Sequence, residues 1–171
     1  MKLIMIKENE IKKNLIVLLG ISALIRGFLA FFIEFGNDEV YYWTYAMYPD
    51  WSHFDHPPMV GLFIQLFSGN LFFTSEFFLR LSSVICMTVN TYLIFLIGKQ
   101  VKNEQTGFYA ALLYTASIYA FVITGIFILP DTPLSIFTFL AVLFFIKYFQ
   151  LENNKHLLLA GLFSGLAMLS K

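Results

Sequence analysis

Residues 14–45 read NLIVLLGISALIRGFLAFFIEFGNDEVYYWTY. From Asn14 to Phe35 the stretch is apolar except for Asn14, Ser22, Arg26 and Glu34, and it then turns abruptly into an acid pair followed by aromatics. About 20 apolar residues in a helix cover the roughly 30 Å of a bilayer's hydrocarbon core, so the first part predicts a membrane-spanning helix. The second part predicts a polar, aromatic loop at the membrane surface, where an aromatic body meets lipid and its polar tip meets water.

The rest of the chain repeats the first signal. Of its 171 residues 58% are hydrophobic and only 13% charged, against roughly a quarter charged in a soluble domain. Further long apolar runs lie at about Phe77 to Gly98, Gly107 to Leu129 and Leu134 to Phe149, and a fifth begins at His156. The fold class that follows is an all-α integral membrane protein with about five spans. The fifth run reaches only Lys171, short for a full crossing, so the chain reads as one cut off at its C-terminus. At the N-terminus a basic stretch precedes the first apolar run, as in a signal peptide. That run is too long for a signal h-region and no small-x-small cleavage site closes it, so a retained first span is expected.

Net charge is zero and basic residues are scattered, which argues against a nucleic-acid partner. The single cysteine, Cys86, lies within an apolar run; it excludes an intramolecular disulfide and makes a poor metal or redox site.

Orientation follows from the basic residues, which are enriched in cytoplasmic loops. With the N-terminus inside, eight of the eleven fall inside: Lys2, Lys7, Lys12, Lys13, Lys99, Lys102, Lys147 and Lys155. The exceptions, Arg26, Arg80 and Lys171, gather toward the outer face. So do most acids: Glu34, Asp38, Glu39, Asp50, Asp55, Glu76 and Asp131. The expectation is a multi-pass protein of the cell membrane with a cytoplasmic N-terminus and a polar outer site.

The loop from Gly36 to Glu76 is too long for a turn and reads as two surface helices. Asn37 is suited to cap the first, with Asp38 and Glu39 in the first turn where the helix dipole favours negative charge, and Pro49-Asp50 ends it. Asp55 is suited to cap the second, with Pro57 and Pro58 behind it and an apolar stretch from Met59 to Phe67.

Three constellations carry chemistry, each beside a simpler reading. Asp38-Glu39 offers a carboxylate to deprotonate a hydroxyl, or serves only the helix dipole. His53-Phe54-Asp55-His56-Pro57-Pro58 can donate to an anion or help hold a divalent cation, or is a capped, proline-started helix with surface histidines. Three ligands so close seldom complete a metal shell unaided, so no metal ligand is assigned. Pro130-Asp131-Thr132-Pro133 is a helix start that places one more carboxylate on the outer face. Arg26, Arg80 and Lys171 either snorkel to headgroups or meet an anionic lipid phosphate.

Taken together these residues resemble the N-terminal part of the family 39 glycosyltransferases, which include protein O-mannosyltransferases and an aminoarabinose transferase. The matching features are Asp38-Glu39 with Tyr-Tyr-Trp after the first span, His56-Pro57-Pro58, Leu79-Arg80-Leu81, Pro130-Asp131-x-Pro133-Leu134, and the Gly161 to Lys171 ending. The resemblance implies a GT-C membrane fold, a polyprenyl-phosphate sugar as donor, and a hydroxyl-bearing protein, lipid or glycan as acceptor. It implies transfer on the extracytoplasmic side, and one displacement with one base then implies inversion at the anomeric carbon. It assigns Asp38 as catalytic base with Glu39 as its supporting neighbour, places His56, Arg80 and Lys171 near the lipid phosphate, and identifies Asp131 as the acid of the family's Pro-Asp motif. The residues alone also fit a transporter-like protein binding a cation or solute at its outward acids, or a non-catalytic membrane subunit.

Overall fold

In the computed structural model, which describes residues 8–171, the described chain is helical without strands. Its order is α1 Glu8–Phe32, α2 Asn37–Met47, α3 Met59–Phe67, α4 Glu76–Val101, α5 Glu104–Ala116, a π-helical turn Tyr119–Ile123, α6 Thr124–Ile126, α7 Asp131–Leu151 and α8 Asn154–Met168.

Helix α4 is the centre of the bundle. Half of its apolar window is buried, against 22% for α1 and 11% for α7, and it packs against α1, α3, α5, α6 and α7. The sequence gives it a face that others can approach: Ser82, Ser83, Asn90, Thr91 and Gly98 are all buried. Small residues let membrane helices close in where no hydrophobic drive pulls them together. At Gly98 the closeness is extreme, since a Cβ there would sit 2.7 Å from Gly107 Cα on α5. The faces of α1 and α7 turned from the bundle, such as Leu24, Phe28, Phe31 and Phe149, are apolar and exposed, as lipid requires.

Among the described residues three helices are long and apolar enough to cross a membrane: α1, α4 and α7. The expected third span differs. Instead of one helix from Gly107 to Leu129, α5 and the segment Tyr119–Ile126 meet at a bend of 74°. Hydroxyl groups take up carbonyls near the break, Thr124 Oγ1 donating to Tyr119 O and Thr132 Oγ1 to Thr124 O, which is how irregular backbone is tolerated inside a membrane protein. The fifth run forms α8, at 15 residues about 22 Å long, short of a full crossing. It folds back on α7 after Glu152, which adopts a left-handed conformation, and the pair is joined by stacked Phe137, Phe144 and Phe163.

Both expected loop helices form, with different caps. Gly36 precedes α2 where Asn37 was expected, because Asn37 is already helical and Glu39 reaches back to accept the Gly36 N–H at 3.1 Å. Pro58 precedes α3 where Asp55 was expected, Asp55 being held instead by two tyrosines of α2. Likewise Pro130 caps α7 and Asp131 is its first residue. The loop helices cross tightly at Gly61, whose missing side chain leaves room for the Tyr45 backbone; a Cβ would meet it at 2.8 Å.

Candidate active site

The loop is fastened to the bundle by an apolar cluster in which Tyr42, Val60 and Ile64 meet Leu79 and Ile128, and by a buried ion pair. Arg80, in the first turns of α4, has no exposed surface. Its Nε donates to Glu39 Oε1 at 2.7 Å and its Nη2 to Glu39 Oε2 at 2.5 Å, the side-on fork that suits guanidinium and carboxylate. The remaining donors go to the carbonyls of Ala30, Ile33 and Glu34 at the end of α1, where the helix dipole is negative. Glu39 also accepts the N–H groups of Ile128 at 3.1 Å and Gly36 at 3.1 Å. One pair thus ties the end of α1, the start of α2, α4 and the strand of chain before α7. The expected neighbour of the base is this buried brace, and Arg80 spends its donors within the protein.

Asp38, one position earlier, points the other way. It is exposed and lines a cleft of about 450 Å³ with Gly36, Asn37, Glu39, Ile123, Phe127 and Leu129. The brace fixes the backbone beneath it, and the broken third span supplies the opposite wall.

Other candidate residues gather near Tyr42. Tyr42, one turn along α2, has its phenol pushed up by burial first and then by Asp55, Asp38 and Asp131, so three carboxylates from separate parts of the chain bear on one ring. His56 lies against that ring at 5.7 Å between centroids. Asp55 accepts from Tyr45 Oη and, at 2.8 Å, from Tyr41 Oη; these bonds hold its carboxyl below the usual range. His56 Nε2 stands 3.9 Å from Asp55 Oδ2, and His53 stacks on Tyr45 at 3.6 Å. Burial and the Asp55 bond push the Tyr45 phenol up. Sequence reasoning gave Tyr41, Tyr42 and Tyr45 only a headgroup role. The i, i+4 spacing of Tyr41 and Tyr45, facing an acid fourteen and ten residues on, was the signal for the hydrogen-bonded cluster.

Lys171 Nζ donates to both oxygens of Asp131, at 2.8 and 2.9 Å, and both side chains keep some exposure. Among the described residues no group of three or more His, Cys, Asp or Glu is gathered as a metal site. Cys86 is buried on α4.

A sequence model of the dolichyl-phosphate-mannose-protein mannosyltransferases matches residues 55–171. The chain belongs to this family. The match takes in His56, Arg80, Asp131 and Lys171 of this mannosyltransferase-family chain, while Asp38 and Glu39 lie just before it. Neither the curated proteins nor the solved structures compared with it gave a match. The family makes the chain a membrane protein of glycosyltransferase type, in agreement with the resemblance to family 39.

Proposed function

We propose that the chain moves a sugar from a polyprenyl-phosphate donor to a hydroxyl acceptor on a protein, lipid or glycan. The transfer takes place on the extracytoplasmic face of the cell membrane, with the N-terminus cytoplasmic. The observation that carries this reading is Asp38: an exposed carboxylate on a braced backbone, opening onto a cleft at the start of α2. A base within hydrogen-bond reach of an alcohol is what turns it into a nucleophile. The acceptor oxygen attacks the anomeric carbon, its proton passes to Asp38, and the bond from that carbon to the phosphate oxygen breaks, releasing the polyprenyl phosphate. A single displacement inverts the anomeric centre.

His56 and Lys171 are the cationic or donor groups available to the phosphate side, with Asp131 orienting Lys171 through its two hydrogen bonds. Charge growing on the departing phosphate is stabilised by such groups. In this reading Glu39 and Arg80 act by holding Asp38 in place. The test is transfer of radiolabelled mannose from a short polyprenyl-phosphate mannose by the purified chain in lipid nanodiscs. Asp38→Asn is expected to lower the rate by about two orders of magnitude or more; transfer at the wild-type rate would show that Asp38 is not the base.

A further inference from the structure

The loop between α1 and α4 has two unlike halves. Asp38, Glu39, Asp50 and Asp55 all fall in its first part, whereas residues 57–75 contain no ionisable side chain. That second part holds α3 and the turn leading into α4. On its surface Leu66 is 70% exposed, Phe72 79% and Phe73 46%. Exposed apolar groups gathered in this way mark a surface that something covers.

Two observations say what covers it. The first is continuity with a lipid-facing surface. Phe72 packs on Phe73 at 4.8 Å between ring centroids, Phe73 stacks on Phe78 at 4.6 Å, Phe78 meets Phe77 at 5.4 Å and Phe77 meets Phe31 at 6.2 Å. Phe31 belongs to the exposed apolar face of α1, so an unbroken row of rings runs from a membrane-spanning helix to the turn. The second is the backbone. Gly69, Asn70 and Leu71 are all left-handed, with φ of 64°, 56° and 62°, a conformation that is costly for residues other than glycine. It closes the turn on itself: the N–H groups of Asn70, Leu71, Phe72 and Phe73 donate in turn to Gln65 O, Ser68 Oγ, Gly69 O and Ser68 O. In water a turn need not satisfy four successive donors internally, because solvent bonds them. In hydrocarbon every unpaired donor is costly, and this closure is what lipid requires.

We propose that the turn at residues 69–73 is a wedge set into the acyl margin of the leaflet at which α1 ends and α4 begins, with Phe72 and Phe73 in contact with lipid chains. Leu71 points the other way, against the cluster that holds Tyr42, Tyr45 and Leu79. The wedge therefore fixes the height of α2 relative to the bilayer. This goes beyond the sugar-transfer reading and does not depend on it.

The test attaches one nitroxide at a time to the full chain, in a Cys86→Ser background and in phosphatidylcholine vesicles. It compares collisions with oxygen, which concentrates in hydrocarbon, and with a water-soluble nickel chelate. The references are Phe31→Cys on the lipid face of α1 and Asp50→Cys, exposed in the acidic half of the loop. Phe72→Cys and Leu66→Cys are expected to match the α1 reference, with an oxygen-to-nickel ratio several times that of Asp50→Cys. A ratio equal to that of Asp50→Cys overturns the inference. Few collisions with either reagent would mean that protein covers the turn, and overturns it as well. Phe72→Asp, read from the label at Leu66→Cys, is expected to shift the ratio toward the aqueous reference, and an unchanged ratio removes Phe72 from the wedge. Should that variant not fold, Phe72→Ser takes its place, and the labels in the parent chain still decide. Because no sugar transfer is measured, a failure here leaves the role of Asp38 standing.

Discussion

Adjacent acids in the first turn of α2 have opposite fates, and the difference is one of direction. Successive helical positions point about 100° apart, so Glu39 enters the bundle to meet Arg80 while Asp38 faces the cleft. Removing one partner of a buried pair leaves the other charge stranded. Glu39→Ala is expected to destabilise the fold by about 3–5 kcal/mol, and Glu39→Gln combined with Arg80→Met by much less, as read from thermal unfolding in detergent. The Asp55 cluster gives a pH signature. Its folded carboxyl is held below the ordinary value of 3.8 by Tyr45 and Tyr41. The stabilisation is therefore complete above that value and is lost as pH falls through the lower, folded one. Hydrogen exchange across residues 48–58 is expected to accelerate on acidification below about pH 4, and Tyr45→Phe to move that onset to higher pH. The acid pair could be read from the sequence as a site, but which acid did what could not. Glu39's partner lies 41 residues away, and no local pattern encodes it.

At the scale of elements, the spans were legible because lipid leaves little choice: each must be a long apolar helix, and the apolar runs mark α1, α4 and α7 well. The break in the third span was not legible. Residues 107–129 are apolar on both sides of Ser117, and composition registers polarity, not the direction of a helix axis. The loop caps were misplaced by one residue at α2 and three at α3, since Asn37 and Asp55 are both good capping types but were drawn into the helix or toward tyrosines. Glycine positions separate tight crossings from open ones. A Cβ at Gly107 would meet the Phe95 carbonyl at 2.3 Å, whereas nothing lies within 4 Å of one at Gly161. Gly107→Ala is expected to cost about 1–3 kcal/mol through forced separation of α4 and α5. Gly161→Ala is expected to be neutral or to stabilise α8 by up to about 1 kcal/mol. Thermal unfolding of the two variants side by side checks both.

For the whole molecule, the proposal requires the long loop and Lys171 to share one side of the bilayer, opposite the α4–α5 turn. The lone, buried Cys86 makes this simple to measure. In a Cys86→Ser background, cysteine placed at Trp51 is expected to react with an impermeant maleimide added outside intact cells, and cysteine at Lys102 only after the membrane is opened. Labelling of both positions from outside would contradict the arrangement.

The Glu39–Arg80 brace also bears on biogenesis. During insertion the chain emerges in order, so Glu39 leaves the ribosome well before Arg80 exists to receive it. The loop cannot dock through this pair until α4 is in place, and until then the only carboxylate near the Arg80 guanidinium among the described residues of α4 is Glu76, one turn back at 4.0 Å. Maturation of the cleft is thus a late step, gated by the meeting of two segments threaded separately. A chain halted before α4 would display Asp38 on an unanchored loop, with no floor beneath it.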